Sequence, residues 1–213
     1  VYGHIEMPHP PFMFGADGEQ PTKIFWPQWD YRAWANKKGY INQLIYTNKL
    51  TIKMTDNIIA NSKRSPIIII QGDHGPASSL KSKTSWEYPE DHMIKERLSI
   101  LNAYYLPNPG KELLYDSITP VNTFRVIFNL YFEKDYDLLE DRSFWKNSYF
   151  NKENSTYFDV SESVYKDINE LSNASEFITN GDFNDNILHW RVAVNGEGGK
   201  IYCLDMNELK LQI

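Results

Sequence analysis

Four consecutive isoleucines at residues 67–70 constrain the fold of this chain more than any other feature. Isoleucine is β-branched and favours extended structure, and an aliphatic run without polar alternation is typical of a strand covered on both faces of a parallel sheet. Pro66 ends the helical pattern before the run, and Gly72 follows it after a single glutamine. The pattern therefore predicts a buried strand at residues 67–70.

A helix and an earlier strand are predicted ahead of this run. Over residues 39–62, apolar side chains recur at helical spacing, with lysine and asparagine on the opposite face. Residues 1–5 read as a short strand that stops at a proline-rich turn. Strand, helix and strand in this order predict an α/β fold, with an open, mostly parallel sheet flanked by helices and incomplete at its N-terminal side.

The later part of the chain carries weaker patterns. A further strand is predicted at residues 98–106, before a Pro-Asn-Pro-Gly turn. Thr119 and Pro120 have the form of a helix N-cap followed by proline at the first helical position, which predicts a helix over residues 121–132. Residues 175–213 contain an Asn-Gly-Asp-Phe turn and aromatic residues, which favour the opening of a separate β element.

Composition and charge exclude several classes of protein. The net charge of -6 argues against a general nucleic-acid binder, which usually presents a basic face. Cys203 is the only cysteine, so an internal disulfide and a cysteine-based zinc cluster are both excluded. The longest purely aliphatic run is far too short to cross a bilayer. Because the chain opens on Val1 inside a predicted strand, we expect it to be a piece of a longer protein.

Asp73 and His74 directly follow the isoleucine strand and are the clearest candidates for chemistry. A carboxylate oxygen and an imidazole nitrogen are both good ligands for Mn, Zn and related divalent ions. Adjacent ligands converge only where the backbone turns sharply, and Gly72 and Gly75 permit such a turn. The alternative is a strand-end turn in which Asp73 caps a following helix and His74 is solvated.

His9 is the second candidate, in a His-Pro-Pro-Phe segment. Flanking prolines restrict the backbone, and an imidazole held in place can bind a substrate oxyanion when protonated, or act as a hydrogen-bond donor. An ordinary loop histidine is the alternative. Arg97 could meet an anionic substrate, but its Lys-Glu-Arg run is more typical of a solvated surface.

Together these segments resemble sulfatase-like proteins of the alkaline phosphatase superfamily, which includes sulfatases, lipoteichoic acid synthases and phosphoethanolamine transferases. The resemblance covers residues 1–145. It rests on four segments in the family's order: VYGHIEMPHPPF at residues 1–12, the helix beginning at Tyr40, the isoleucine strand with its Gly-Asp-His-Gly, and residues 96–107. It implies an alkaline-phosphatase-like sheet and favours metal binding by the Asp-His pair.

The resemblance also implies a mechanism. A threonine, serine or modified cysteine nucleophile beside a divalent metal ion (Mn, Zn, Ca or Mg) attacks a phosphate or sulfate ester. Asp73 and His74 match the late metal ligands, and His9 matches the histidine that contacts the phosphate or sulfate oxygens. No residue here matches the nucleophile or the first metal carboxylate, which lie N-terminal to this region in the family, and Cys203 lacks the sulfatase motif. The catalytic residues of this chain are therefore unassigned, and the chain alone is expected to be inactive.

Partners and location follow from the same resemblance. The expected substrate is a phosphate or sulfate ester, free or carried on a lipid or glycan, and no nucleic acid. The full-length protein is expected to be extracytoplasmic or at the cell surface, with membrane attachment only through a segment that precedes this chain. The alternative function is a catalytically inactive sulfatase-like binding or structural module.

The predicted domain organisation has three parts. Residues 1–145 form the C-terminal part of a sulfatase-like catalytic domain, and residues 146–174 form a peripheral extension. Residues 175–213 begin a small β domain, for which the start of a carbohydrate-binding β-sandwich is one interpretation. The sequence upstream of Val1 would distinguish a catalytic from a non-catalytic protein, because it would show whether the nucleophile and the first metal carboxylate are present.

Overall fold

The computed structural model describes residues 1–24, 34, 36–80, 82–107, 110–115, 117–147, 155–165, 190–195 and 202–203. Its helices are α1 (Lys37–Asn61), α2 (Lys83–Glu87), α3 (Asp91–Leu98), α4 (Pro120–Tyr131) and α5 (Ser161–Tyr165), with a short 3-10 helix at Gly110–Leu113. Its strands are β1 (Ile68–Gln71), β2 (Ile100–Tyr105), β3 (Phe144–Lys146), β4 (Tyr157–Asp159), β5 (Trp190–Asn195) and β6 (Tyr202–Cys203).

The predicted open, mostly parallel α/β sheet is wrong. The larger sheet has the strand order β1-β2-β5-β6, and each neighbouring pair in it is antiparallel. Helices α2 and α3 return the chain to the C-terminal end of β1. There the amide of Gly72 donates to the carbonyl of Leu101 at 2.8 Å. Strand β2 therefore begins beside the end of β1 and runs back along it, with Gln71 opposite Asn102.

Strand β1 confirms that the isoleucine run is extended, but not that it is covered on both faces. Ile68 is buried, Ile69 and Ile70 are half-buried, and Ile67 is exposed. The position of β1 at the end of the described strand order explains this exposure, since it has a hydrogen-bonded neighbour on only one side there. Residues 1–5 form no strand and are exposed, so the predicted first strand is wrong.

Helix α1 occupies nearly the predicted span but buries a different face. Its buried residues are polar (Gln43, Thr47 and Thr55), while Ile58 of the apolar series is exposed. The helix begins after Asn36, whose side chain accepts a hydrogen bond from the amide of Gly39 at 3.0 Å. Amphipathic spacing thus located this helix correctly without identifying the face that packs.

Helix α4 begins as predicted, with Thr119 at the N-cap and Pro120 at the first helical position. The Thr119 side chain makes no capping bond to the helix. Instead, the carboxylate of Asp141 accepts hydrogen bonds from the Thr119 amide at 2.7 Å and from the Tyr115 hydroxyl at 2.5 Å. Burial first, and then this contact with Asp141, raise the pKa of Tyr115. Helix α4 packs into a core made of Tyr104, Leu106, Leu114, Ile118, Val126 and Ile127.

A second core supports the loop that follows His74. It contains Ala77, Leu80, Ile94, Trp145, Val160 and Val164. Trp145, from β3, is 3% exposed, and its indole nitrogen donates to the carbonyl oxygen of Trp86 at 2.9 Å. Two residues of the loop after the Asp-His pair are therefore anchored in a core that β3, α3 and α5 complete.

Among the helices in the described part of the chain, none combines the length and apolar character that crossing a bilayer requires. The Asn-Gly-Asp-Phe turn at residues 180–183 lies outside the described residues, as do both asparagines of the chain's Asn-x-Ser/Thr sequences, Asn154 and Asn173. Strands β5 and β6 extend the sheet of β1 and β2. The division of the chain into three domains stays a prediction.

Candidate metal and oxyanion site

Both ends of the turn at residues 72–75 are hydrogen-bonded to residues that follow it in the chain. At its start, the Gly72 amide donates to the Leu101 carbonyl. At its end, the Gly75 amide donates to the Arg97 carbonyl at 2.7 Å, and the Arg97 guanidinium donates back to the Gly75 carbonyl at 2.8 Å. Backbone bonds of this kind hold the two residues between the glycines in a defined position.

The two glycines have different reasons to be there. A Cβ atom built on Gly75 would lie 2.1 Å from the carbonyl oxygen of Glu96 and 2.8 Å from that of Ser99. A Cβ atom on Gly72 would meet its nearest neighbour at 3.7 Å, which is ordinary van der Waals contact. Close approach of the backbone between β1 and α3 therefore requires glycine at position 75 only.

Asp73 and His74 bring two potential ligand atoms together at the end of β1. Oδ2 of Asp73 lies 3.3 Å from Nε2 of His74, and the two side chains are 86% and 31% exposed, respectively. Oδ1 of Asp73 accepts a hydrogen bond from the His74 amide at 2.9 Å, which turns the carboxylate towards the imidazole. Both side chains thus face one solvent-accessible position.

The other ring nitrogen of His74 sets the tautomer. Nδ1 lies 3.0 Å from the Gly75 carbonyl oxygen, which can only accept, so Nδ1 carries the proton. In the neutral ring Nε2 then holds a lone pair, and it faces the carboxylate oxygen of Asp73. Two acceptor atoms at this distance repel each other unless a proton or a cation lies between them. A backbone carbonyl that orients a ligating histidine in this way is common in metal sites.

Burial lowers the pKa of His74, and the positive charge of Arg97 lowers it further. The carboxylate of Asp73 and the hydrogen bond to Gly75 act in the opposite direction, and the charge of His9 adds a smaller lowering effect. The net result is a pKa below the ordinary histidine value. The neutral imidazole, which is the form that binds metal ions, is therefore favoured.

His9 is exposed and presents its imidazole in the same manner as His74. Nδ1 of His9 lies 2.6 Å from the carbonyl oxygen of Pro10, which leaves Nε2 as the nitrogen directed away from the backbone. The ring packs edge-on against the indole of Trp34, with 5.6 Å between the ring centroids. The same indole lies 5.9 Å from the guanidinium carbon of Arg97, which donates to the Gly75 carbonyl, so His9 is linked to the 72–75 turn through Trp34 and Arg97.

Arg97 lies between Trp34 and the 72–75 turn, and it is not the solvated surface residue expected from its sequence. It is half-buried, and its guanidinium carbon lies 5.9 Å from the ring centroid of Trp34 and 5.8 Å from that of Trp86. Cation–π contacts of this geometry are attractive. Since Trp34 also contacts His9, one indole connects the His9 segment to the residue that holds the 72–75 turn.

The loop after the turn is held by Glu96. Its carboxylate accepts hydrogen bonds from the Ser78 hydroxyl and, at 2.9 Å, from the Ser79 amide. Burial disfavours the ionised form, but these hydrogen bonds and the charge of Lys37 outweigh it, so the pKa of Glu96 lies below its ordinary value. Glu96 is thus occupied in fixing backbone and is not available as a further metal ligand.

The donor set fits part of a metal site. One carboxylate and one imidazole suit Mn or Zn, whereas Ca and Mg usually take oxygen ligands alone. Across the ranges that the structure describes, no cluster of three or more His, Cys, Asp or Glu side chains could hold a metal ion. Asp73 and His74 would therefore hold a metal as a pair, with the remaining coordination supplied by water or by groups outside this set.

No family model matches this chain, and searches of the curated proteins and of the solved structures also find no match. The site must therefore be judged on its own geometry. The structure brings Asp73 and His74 together and links His9 to the same turn through Trp34 and Arg97. The assignment of the three residues as substrate and metal ligands stays a prediction.

Sequence reasoning missed two residues that shape this site, Trp34 and Gln43, and assigned a third, Arg97, to a solvated surface. Gln43 had a signal, since it interrupts the apolar residues of α1 and is followed four positions later by Thr47, which is also buried. The contacts of Arg97 and Trp34 had no such signal, because they join segments that are distant in the sequence.

Proposed function

We propose that this chain contributes two metal ligands and an oxyanion-binding histidine to a metal-dependent hydrolase or transferase that acts on a phosphate or sulfate ester. The observation that carries the proposal is the convergence of Asp73 Oδ2 and His74 Nε2, 3.3 Å apart at an accessible strand end. The nucleophile belongs to a part of the protein outside this chain, as in the sulfatase-like proteins that the sequence resembles.

Each residue has a role that its contacts support. A divalent ion bound here would supply Lewis-acid stabilisation of charge on the transferring group. Asp73 provides a negative charge turned towards the ion by its bond to the backbone, and His74 provides Nε2 in a ring whose orientation Gly75 sets. His9 has Nδ1 committed to Pro10, so it donates to an ester oxygen from Nε2 only as the imidazolium.

Support for the proposal comes from the site and from the order of the motifs. The sheet offers none, because its antiparallel pairs differ from the mostly parallel sheet that the resemblance implies. The proposal therefore depends on side-chain chemistry at the end of β1, where a strand and a hydrogen-bonded turn hold Asp73 and His74 in place.

The proposal predicts metal-dependent turnover by the full-length protein that carries this chain. Hydrolysis of 4-nitrophenyl phosphate and 4-nitrophenyl sulfate should be measured with Mn²⁺, with Zn²⁺ and after chelation. Asp73→Asn keeps the oxygen that accepts from the His74 amide but removes the charge, so we expect kcat/KM to fall at least about 100-fold. Asp56→Asn removes an exposed carboxylate on α1 and should leave kcat/KM unchanged. Turnover that survives both chelation and Asp73→Asn would contradict the proposal.

A non-catalytic sulfatase-like module is the second candidate. It is favoured by the small ligand set, since only two metal-ligating side chains converge within the described residues. The same assay separates the two functions. Metal binding that depends on Asp73, without turnover of either ester by the full-length protein, would assign the site to binding alone.

A further inference from the structure

We infer that Gln43 is a positioning residue for His9, holding from beneath the loop that carries the imidazole. The inference rests on the proposed function for the oxyanion-binding role of His9, but the contacts between Gln43 and the His9 loop do not depend on any ligand. Gln43 lies in the second turn of α1 and is 1% exposed. A fully buried amide must satisfy its hydrogen bonds inside the protein, so its partners are informative.

Among the residues that the structure describes, every hydrogen-bond partner of the Gln43 side chain lies in the loop that begins at His9. Nε2 donates to the carbonyl oxygen of His9 at 3.0 Å. Oε1 accepts from the amide of Met13 at 2.6 Å and from the amide of Phe14 at 3.3 Å. One side chain therefore ties down both ends of the His-Pro-Pro-Phe segment, which has no regular secondary structure of its own.

The bond to His9 is made at the residue that carries the imidazole, so it limits movement of its Cα as well as its carbonyl. The imidazole ring itself is held by the hydrogen bond from its Nδ1 to the Pro10 carbonyl and by its edge-on contact with Trp34. Phe12, 5% exposed, packs against the same indole and completes the anchoring of the segment. Without the Gln43 amide, His9 would be held by these ring contacts and by its own amide, which donates to the Glu6 carbonyl at 2.9 Å.

Gln43→Glu tests the His9 bond selectively. A carboxylate keeps an acceptor for the amides of Met13 and Phe14 but places an oxygen where the donor to His9 stood. Thr55→Val is a matched control, because Thr55 is also polar, 1% exposed and on α1. Within the described residues, its hydroxyl bonds to its own helix, at the Ile52 carbonyl 2.9 Å away. Gln43→Met, which has similar volume and no strong hydrogen-bonding group, is a second variant in case the buried carboxylate prevents folding.

The first measurement is the proton chemical shift of the His9 imidazole, assigned by NMR on the chain. In the wild type and in Thr55→Val, the ring current of Trp34 should displace these signals from the free-histidine position. In Gln43→Glu, or in Gln43→Met, we expect the displacement to fall by at least about half, with the amide spectrum otherwise folded. An unchanged His9 shift in folded Gln43→Met would overturn the inference. Gln43→Met decides because a buried carboxyl in Gln43→Glu can take up a proton and then donate to the His9 carbonyl.

The second measurement separates this inference from the proposed function. Inorganic phosphate is titrated against each protein while the His9 signals are followed. We expect the wild type and Thr55→Val to bind with equal affinity and the Gln43 variant to bind at least about 10-fold more weakly. Failure of phosphate to perturb His9 in the wild type would count against the anion-binding role alone. A Gln43 variant that binds phosphate as tightly as the wild type would count against positioning alone.

Discussion

Gly75→Ala is expected to lower the free energy of unfolding by about 3 kcal/mol or more. The new methyl group would lie 2.1 Å from the carbonyl oxygen of Glu96, and backbone atoms have no alternative rotamer into which to retreat. Relief of the clash requires separating the turn from α3, which would break the bond between the Gly75 amide and the Arg97 carbonyl. Urea denaturation followed by tryptophan fluorescence would measure the loss.

The neighbouring glycine offers a matched control for this prediction. Gly72→Ala adds the same methyl group three residues earlier, where its nearest neighbour would lie at 3.7 Å. We expect a change below about 1 kcal/mol, the range of a glycine-to-alanine change at a compatible position. Equal destabilisation by the two variants would show that the approach between the turn and α3 is not as close as described.

Trp145→Ala is expected to cost about 3 to 5 kcal/mol of unfolding free energy, the range for removing a large aromatic side chain from a core. Trp145 is 3% exposed, its ring lies 5.2 Å from that of Trp86, and its indole nitrogen donates to the Trp86 carbonyl. Truncation would therefore leave a cavity and remove one hydrogen bond from the carbonyl of Trp86, whose ring contacts Arg97. The effect should reach the turn that carries Asp73 and His74.

Phe144→Ala serves as the control, because Phe144 precedes Trp145 in β3 but points to the other face and is 49% exposed. Its removal should cost less than about 1 kcal/mol. Thermal and urea denaturation of both variants would measure the difference. Similar losses for the two would contradict the assignment of β3 to the second core.

The parts of the fold that the sequence predicted correctly depend on local chemistry. The Thr119-Pro120 pair predicted the start of α4 because an N-cap and a first-turn proline act within a few residues. The isoleucine run predicted a strand because β-branched side chains favour extended backbone wherever the strand pairs. Such signals carry no information on which strand lies alongside.

The direction of strand pairing was mispredicted for this reason. A strand–helix–strand order is compatible with a parallel crossover, but α2 and α3 are short and return the chain to the end of β1 that it left. The return is fixed by the bonds that join Gly72 to Leu101 and Gly75 to Arg97. Contacts between segments so far apart in the sequence leave no local pattern.

The candidate site divides in the same way. His9, Asp73 and His74 could be selected from the sequence because proline and glycine flank chemically suitable side chains at predicted strand ends. The groups that orient them could not, since Gln43 reaches His9 across 34 positions and Arg97 reaches Gly75 across 22. Tertiary contacts of a buried amide and a half-buried guanidinium decide how the predicted residues are presented.

The most direct test of the central claim is the paramagnetic effect of Mn²⁺ on the NMR spectrum of this chain. Binding should be weak, because two ligands leave most of the coordination sphere to water, but fast-exchange broadening reports weak sites. We predict that the amide signals of residues 72–75 broaden first, that Asp73→Asn removes this effect, and that Asp56→Asn does not. Broadening that is centred elsewhere, or that persists in Asp73→Asn, would show that the Asp-His pair is not a metal site.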